Sequence, residues 1–261
     1  MHLELVSCTA TAAATTGAAA AALAGDSLIV KNANRNKRVD IVAAWGTLQA
    51  AGFAQIAFPS AHDTTRGFRV GVPIGVMPFL FAPGCPMQVQ PQETLAVTLG
   101  EAATAGDVAQ CSMLLRYEDL PGVNARLITH SQLMQRMELL TTVENSLAST
   151  AGPSYGTPEL LTADSDLLKA NRDYAVLGFT SRTAVNSIYL LGPDFGNVRI
   201  ASPGVLRAEI TAGWFPMLSR MYGEPLIPIL NSGNKASTYI GVTTDENAGT
   251  FVVTAHLALL K

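Results

Sequence analysis

Apolar and polar positions alternate along short stretches of this chain, and turn-forming residues separate the stretches. Val39, Ile41, Ala43 and Trp45 alternate with Asp40, Val42, Ala44 and Gly46, the period-two pattern of a half-buried strand. Residues 55–58 and 67–72 are short β-type runs closed by Pro59 and Pro73. Leu95, Val97 and Leu99 share one face, with Thr94, Ala96 and Thr98 on the other. After a turn around Ala105-Gly106-Asp107, a strand over 108–117 puts Ala109, Cys111, Met113, Leu115 and Tyr117 on its core face, completing a hairpin. The same pattern resumes at 175–180, 187–191, 197–200, 226–230, 239–242 and 250–260. Residues 210–222 break it: Ile210, Trp214, Met217, Leu218 and Met221 recur at spacings of three and four and stop at Gly223, which predicts an amphipathic helix. Residues 124–136, after Pro121-Gly122, fit a connecting helix, although 127–129 also suits a strand. The Ala- and Thr-rich run over 9–25 predicts an extended loop or a frayed helix.

The chain also repeats itself. Asp26 opens D-S-L-I-V-K-N-A-N-R and Asp164 opens D-S-D-L-L-K-A-N-R; both carry Asp-Ser, an apolar run ending in Lys, and Ala-Asn-Arg. Leu3-Glu4-Leu5-Val6-Ser7 is similar to Met137-Glu138-Leu139-Leu140-Thr141. Phe68-Arg69-Val70 with Pro73 is similar to Val198-Arg199-Ile200 with Pro203. Met77-Pro78-Phe79-Leu80 and Gly84-Cys85-Pro86-Met87 are echoed by Phe215-Pro216-Met217-Leu218 and Gly223-Glu224-Pro225-Leu226. Both halves end on strand, small polar turn, strand, over 94–117 and 238–261. Landmarks in the same order mark a tandem duplication. The expected organisation is a first unit over residues 1–120, a connecting segment over 121–136 and a second unit over 137–261.

Composition narrows what such units do. Of the 261 residues, 48% are hydrophobic and 14% charged, against about 25% charged in ordinary soluble proteins. So little charge implies an outer surface either buried against other subunits or covered by small polar side chains. The net charge of −3, with Lys and Arg scattered, gives no electrostatic footprint for nucleic acid, so no direct genome binding is expected. Leu5-Val6-Ser7-Cys8 resembles a lipoprotein cleavage box, but only seven residues precede Cys8 and none is basic, so a first strand is the expectation. No segment reads as a membrane span.

Two units of about eight antiparallel strands suggest a tandem, double jelly-roll β-sandwich, an all-β fold with a few short helices. In this the chain resembles the double jelly-roll major capsid proteins of tailless icosahedral viruses, the lineage of adenoviruses, tectiviruses and corticoviruses. The resemblance covers the whole chain and rests on the architecture and the duplicated strings, among them Lys169-Ala170-Asn171-Arg172-Asp173-Tyr174 and Pro225-Leu226-Ile227-Pro228-Ile229-Leu230-Asn231-Ser232. It implies a structural virion protein assembled in the host cytoplasm, a homotrimer forming pseudo-hexameric capsomers. Its implied partners are neighbouring capsomers, penton or minor capsid proteins and, in some members, an internal membrane. A β-sandwich receptor- or glycan-binding virion protein is the alternative.

The candidate chemistry is thin. Gly152-Pro153-Ser154-Tyr155-Gly156 matches a nucleophile elbow, with Asp194 and His256 downstream in hydrolase order. Its context is wrong, because the preceding residues are small and polar and Thr157-Pro158 follows. A metal-binding bicupin is also a tandem jelly roll, but His2, His62, His130 and His256 are isolated. Cys8, Cys85 and Cys111 lack C-x-x-C spacing, and their odd number argues against a disulfide framework. No catalytic, cofactor-binding or metal-ligating residues, and no cofactor, are therefore expected.

Overall fold

The chain is described by a computed structural model covering residues 1–11, 15–31, 37–48, 50–61, 67–72, 75–79, 86–101, 108–149, 152–183, 185–204, 208–244 and 249–261. The predicted turn at 105–107, His62, Leu80 and Cys85 lie outside these.

Strands β1 (His2–Thr11), β2 (Ala18–Ala19), β3 (Ala21–Ala22), β4 (Val39–Leu48), β5 (Gly52–Ala57), β6 (Phe68–Val72), β7 (Gly75–Phe79), β8 (Met87–Val89), β9 (Ala96–Glu101) and β10 (Val108–Tyr117) form two sheets. One has the order β3-β1-β10-β4-β7, with β8 also on β4; the other has the order β2-β9-β5-β6. Strands β11 (Leu127–Ile128), β12 (Met137–Ser149), β13 (Ser154–Tyr155), β14 (Glu159–Leu160), β15 (Asp173–Ser181), β16 (Ser187–Leu191), β17 (Arg199–Pro203), β18 (Ile227–Asn231), β19 (Tyr239–Thr244) and β20 (Gly249–Leu260) form two more. Their orders are β11-β18-β15-β20-β12 and β13-β19-β16-β17, with β14 also on β19.

The two sets have one topology. In each, counting the short pieces β2 and β3, or β13 and β14, together as the second strand, the first long strand lies beside the last (β1 on β10, β12 on β20), and the last lies beside the third (β4, β15). In the facing sheet the strand before the last pairs with the fourth, and the fourth with the fifth (β9-β5-β6, β19-β16-β17). Folding a strand pair over into two facing sheets in this order is the jelly roll, and the chain holds two in tandem. Every pairing between these strands is antiparallel, as the alternation predicted.

The first roll is filled by the face the alternation named: Ala109, Cys111, Met113, Leu115 and Tyr117 pack with Leu95, Val97 and Leu99. The expectation of a half-buried β4 needs correction, since all ten of its residues are buried. The register slips between Leu114 and Leu115, leaving Val42 as a bulge. Val39 and Ile41 therefore point into the first roll, whereas Ala43 and Trp45 join the core of the second. That larger core also takes Leu3, Leu5 and Leu114, so the outer face of the β1-β10-β4 sheet is buried by the second unit.

Among the described residues three α-helices interrupt the strands. Helix α1 (His130–Arg136) is opened by a capping box, the Thr129 side chain accepting from the Gln132 N–H while the Gln132 side chain accepts from the Thr129 N–H. The predicted helix over 210–222 is two pieces, α2 (Ala208–Thr211) and α3 (Trp214–Tyr222), broken at Ala212-Gly213 and ended by Gly223 in the left-handed conformation at φ 68°. The run over 9–25 is neither loop nor frayed helix throughout, because β1 continues to Thr11 and β2 and β3 follow it.

Some echoes fall on equivalent strands. Phe68-Arg69-Val70 and Val198-Arg199-Ile200 lie at the fifth strands β6 and β17. Two echoes need correction. Met77-Pro78-Phe79 is strand β7, beside β4, whereas Phe215-Pro216-Met217 is helix α3, packed on β15, so one station holds different structures. Leu3–Ser7 and Met137–Thr141 share the first-strand position but not its register. Asp26 accepts from the Ser7 N–H at 2.7 Å, and Asp164 from the Ser146 N–H at 2.7 Å, so Ser7 corresponds to Ser146.

Candidate interaction surfaces

A cluster of buried polar side chains lies on the seam between the rolls. Serine hydroxyls from β1 and β10 meet there, Ser7 and Ser112 at 2.8 Å. From the second unit, Asn186 donates to Ser112 Oγ at 3.1 Å, and Ser187 Oγ lies 3.2 Å from it. The Trp45 indole N–H donates to Ser187 Oγ at 2.9 Å, and Thr47 donates to Asn186 at 2.9 Å. Gln110 donates to the Thr244 carbonyl at 2.6 Å. Trp45 also meets Trp214 of α3 edge-on at 5.7 Å, and Tyr222 donates to the Val42 carbonyl at 2.8 Å. This polar layer pairs most of the groups that water would otherwise hold, leaving Gln110 Oε1 and Trp214 Nε1 without a hydrogen-bond partner.

Charge locks both ends of the seam. At one, Arg116 is ion-paired to buried Asp40 and, at 3.1 Å, to Glu224 across the junction. At the other, Asp26 accepts from Ser7 N, from the Tyr155 hydroxyl at 2.5 Å and from Arg199 Nη1 at 3.0 Å. Arg199 lies 3.8 Å above the Tyr155 ring and 5.7 Å from that of Tyr189. Burial pushes the Asp26 carboxyl above the usual carboxylate range, although these partners pull it down, and burial with the adjacent Asp26 charge pushes the Tyr155 phenol up. Close by, Lys31 pairs with Glu4 at 2.5 Å, and His2 stacks on Tyr117 at 4.7 Å.

The corresponding outer sheet face of the second unit is open. Leu140 of β12 is 61% exposed. Leu140, Thr142, Leu177, Gly213 and His256 line a hollow of about 450 Å³ there. Asp164, at the edge of this face, is exposed. On the first unit, the outer face of β5 and β6 is likewise uncovered: Arg69 is exposed, donates to Gln55 at 2.9 Å and lies 4.0 Å above the Phe53 ring. These surfaces were not legible in the sequence, because alternation separates core from exterior without saying which exterior another unit covers. The one signal was the position of Arg69 and Asp164 inside duplicated strings.

The hydrolase-ordered residues are not brought together. Ser154 lies on β13 opposite Thr244. His256 projects from β20 in the other sheet and shares a 2.9 Å hydrogen bond with Thr180. Asp194 accepts from Asn231 N and Asn234 Nδ2, both at 2.9 Å. Among the described residues no three His, Cys, Asp or Glu side chains form a metal-binding group. His130 opens α1 and His2 is buried beside Tyr117. Cys8 and Cys111 are buried, directly paired across β1 and β10, and free. Both tryptophans are fully buried and so unavailable to a glycan.

No protein-family model and no curated protein matches the chain. Among solved structures, it is similar to the PBSX exported protein XepA at 12% identity and a TM-score of 0.27, covering 98% of this chain and 86% of that one. It is also similar to the major capsid protein P2 of bacteriophage PM2 at 9% identity and a TM-score of 0.24, covering 99% of this chain and 98% of that one. At such scores the double jelly-roll assignment rests on the strand order itself. No helix among the described residues is long and apolar enough to cross a membrane.

Proposed function

We propose that this chain is a structural virion protein, a major capsid subunit that forms homotrimers of near-hexagonal outline and builds an icosahedral shell without catalysing a reaction. The observation that carries the reading is the unequal use of equivalent surfaces. Two rolls of one topology share a seam in which the outer sheet of the first is covered by the second, while the outer sheet of the second and the β5-β6 face of the first stay open. A chain with one joint made and both halves of the next left open is suited to head-to-tail association, which closes into rings. Paired rolls in three copies give six similar units about one axis. The 14% charged residues fit a surface used mainly for contact. Neighbouring capsomers, penton or minor capsid proteins and, beneath the shell, a membrane are the partners this role would bring.

The test is the solution mass of the purified chain, by light scattering after size exclusion, with negative-stain images of the same peak. Trimers of hexagonal outline, or shells at higher concentration, are expected. A monomer throughout the micromolar range would refute the proposal.

A further inference from the structure

We infer that Arg69 of one copy pairs with Asp164 of the next, docking the open β5-β6 face of the first roll onto the open β12-β20-β15 face of the second roll. This deepens the assembly reading and rests on it. The warrant is the joint the chain has already made with itself. Inside one chain, the carboxylate after the first strand of roll one, Asp26, holds that strand through Ser7 N and receives Arg199 from the fifth strand of roll two. Each participant has a counterpart in the duplication.

Asp164 follows the first strand of roll two and holds it through Ser146 N at the same 2.7 Å. Arg69 stands in the fifth strand of roll one, within the string that matches Val198-Arg199-Ile200. The aromatic support is repeated too. Arg199 lies over Tyr189 of the fourth strand β16, and Arg69 lies over Phe53 of the fourth strand β5. The partners differ only in occupancy. Asp26 is buried and has its arginine, whereas Asp164 and Arg69 are both exposed, and neither has an ion-pair partner among the described residues.

The occupant of each open face is thus a second copy, presenting the opposite charge from the corresponding strand position. The surroundings fit. Thr142, Leu140 and Leu177 on one side and Phe53, Gln55 and Gly71 on the other are uncharged, and the charges beside them on the second roll, Glu144 and Arg182, already pair with each other at 2.7 Å. The contact is heterologous, using different patches on the two copies, so each copy keeps one face free until a ring closes.

The test compares the wild type with Arg69→Glu, Asp164→Arg and the double variant by light scattering after size exclusion, with circular dichroism to verify folding. Both positions are exposed, so folding is expected to survive. The wild type is expected to self-associate. Each single reversal should weaken association by on the order of tenfold or more, and the double variant should regain wild-type mass. If the wild type associates and the single reversals do so equally well, or if the double variant does not recover, this pairing is wrong while the assembly reading stands. A monomeric wild type overturns both.

Discussion

Asp26 and Asp164 each accept a main-chain N–H of their own unit's first strand at 2.7 Å, yet only Asp26 is also bound by Tyr155 and Arg199. One residue of a duplicated pair is part of a seam, and the other waits at an open face. Their substitutions should separate these roles. Asp26→Ala removes an anion facing a stacked guanidinium and should cost roughly 2–4 kcal/mol, somewhat below the range of about 3–5 kcal/mol for breaking a fully buried ion pair because Arg199 is partly exposed. Asp164→Ala loses one exposed hydrogen bond and should cost less than about 1 kcal/mol. Urea unfolding of the two variants measures the difference.

His2 should make stability depend on pH. Burial first, and then the Lys31 ammonium, lower its pKa from 6.5 to about 4, and neither ring nitrogen has a hydrogen-bond partner. The unfolded chain takes up this proton near 6.5 and the folded chain only near 4. Its contribution is therefore fully present above about pH 6.5 and is lost as pH falls toward 4. Glu4 and Asp26 act oppositely: burial raises both, so the folded state holds their protons more tightly and gains stability as pH falls through their raised values. His2→Phe keeps the stack on Tyr117 and removes the proton site. Urea midpoints for this variant should exceed those of the wild type by a margin that grows between pH 6.5 and 4.

Cys8 and Cys111 should be silent to thiol reagents until the first roll opens. Both are fully buried, and the Cys8 thiol, bonded to the Cys111 carbonyl at 3.4 Å, is pushed up by its contact with Cys111 and by burial. Titration with a chromogenic disulfide should leave both unmodified in native protein and label both in denaturant. Cys8→Ser and Cys111→Ser each identify the thiol they remove from the denatured count.

Gly178 is required for packing. A Cβ at this position would sit 1.9 Å from the Thr211 carbonyl oxygen, main chain that cannot swing aside. Gly178→Ala must push α2 away from β15 and should destabilise the fold by about 1–3 kcal/mol. Gly71, with no atom near its Cβ direction, is the control: Gly71→Ala should change stability by less than about 0.5 kcal/mol. Thermal unfolding of both variants decides it.

Trp45 ties the rolls together through one indole. Trp45→Phe loses the hydrogen bond to Ser187 and should cost about 1–2 kcal/mol. Trp45→Ala also opens a cavity beside Trp214 and should cost about 3–5 kcal/mol. Both costs are read from denaturant midpoints.

The sequence alone determined what depends on local order. Alternation at Ala109, Cys111, Met113, Leu115 and Tyr117 named a core face, because a strand turns its side chains up and down whatever it packs against. The stop at Gly223 named a helix end, because a residue at φ 68° favours glycine. The duplicated strings pointed to two units of one fold, and the strand orders agree. What only the tertiary structure decided is what lies beyond each face. Trp45 looked like one more residue on a half-buried strand, but the bulge at Val42 turns it outward, and the second roll buries it there. Asp26 and Asp164 read alike in sequence and differ because Arg199 reaches one and not the other. Period-two patterning records which side of a strand avoids water; the partner that excludes the water comes from residues more than a hundred positions away.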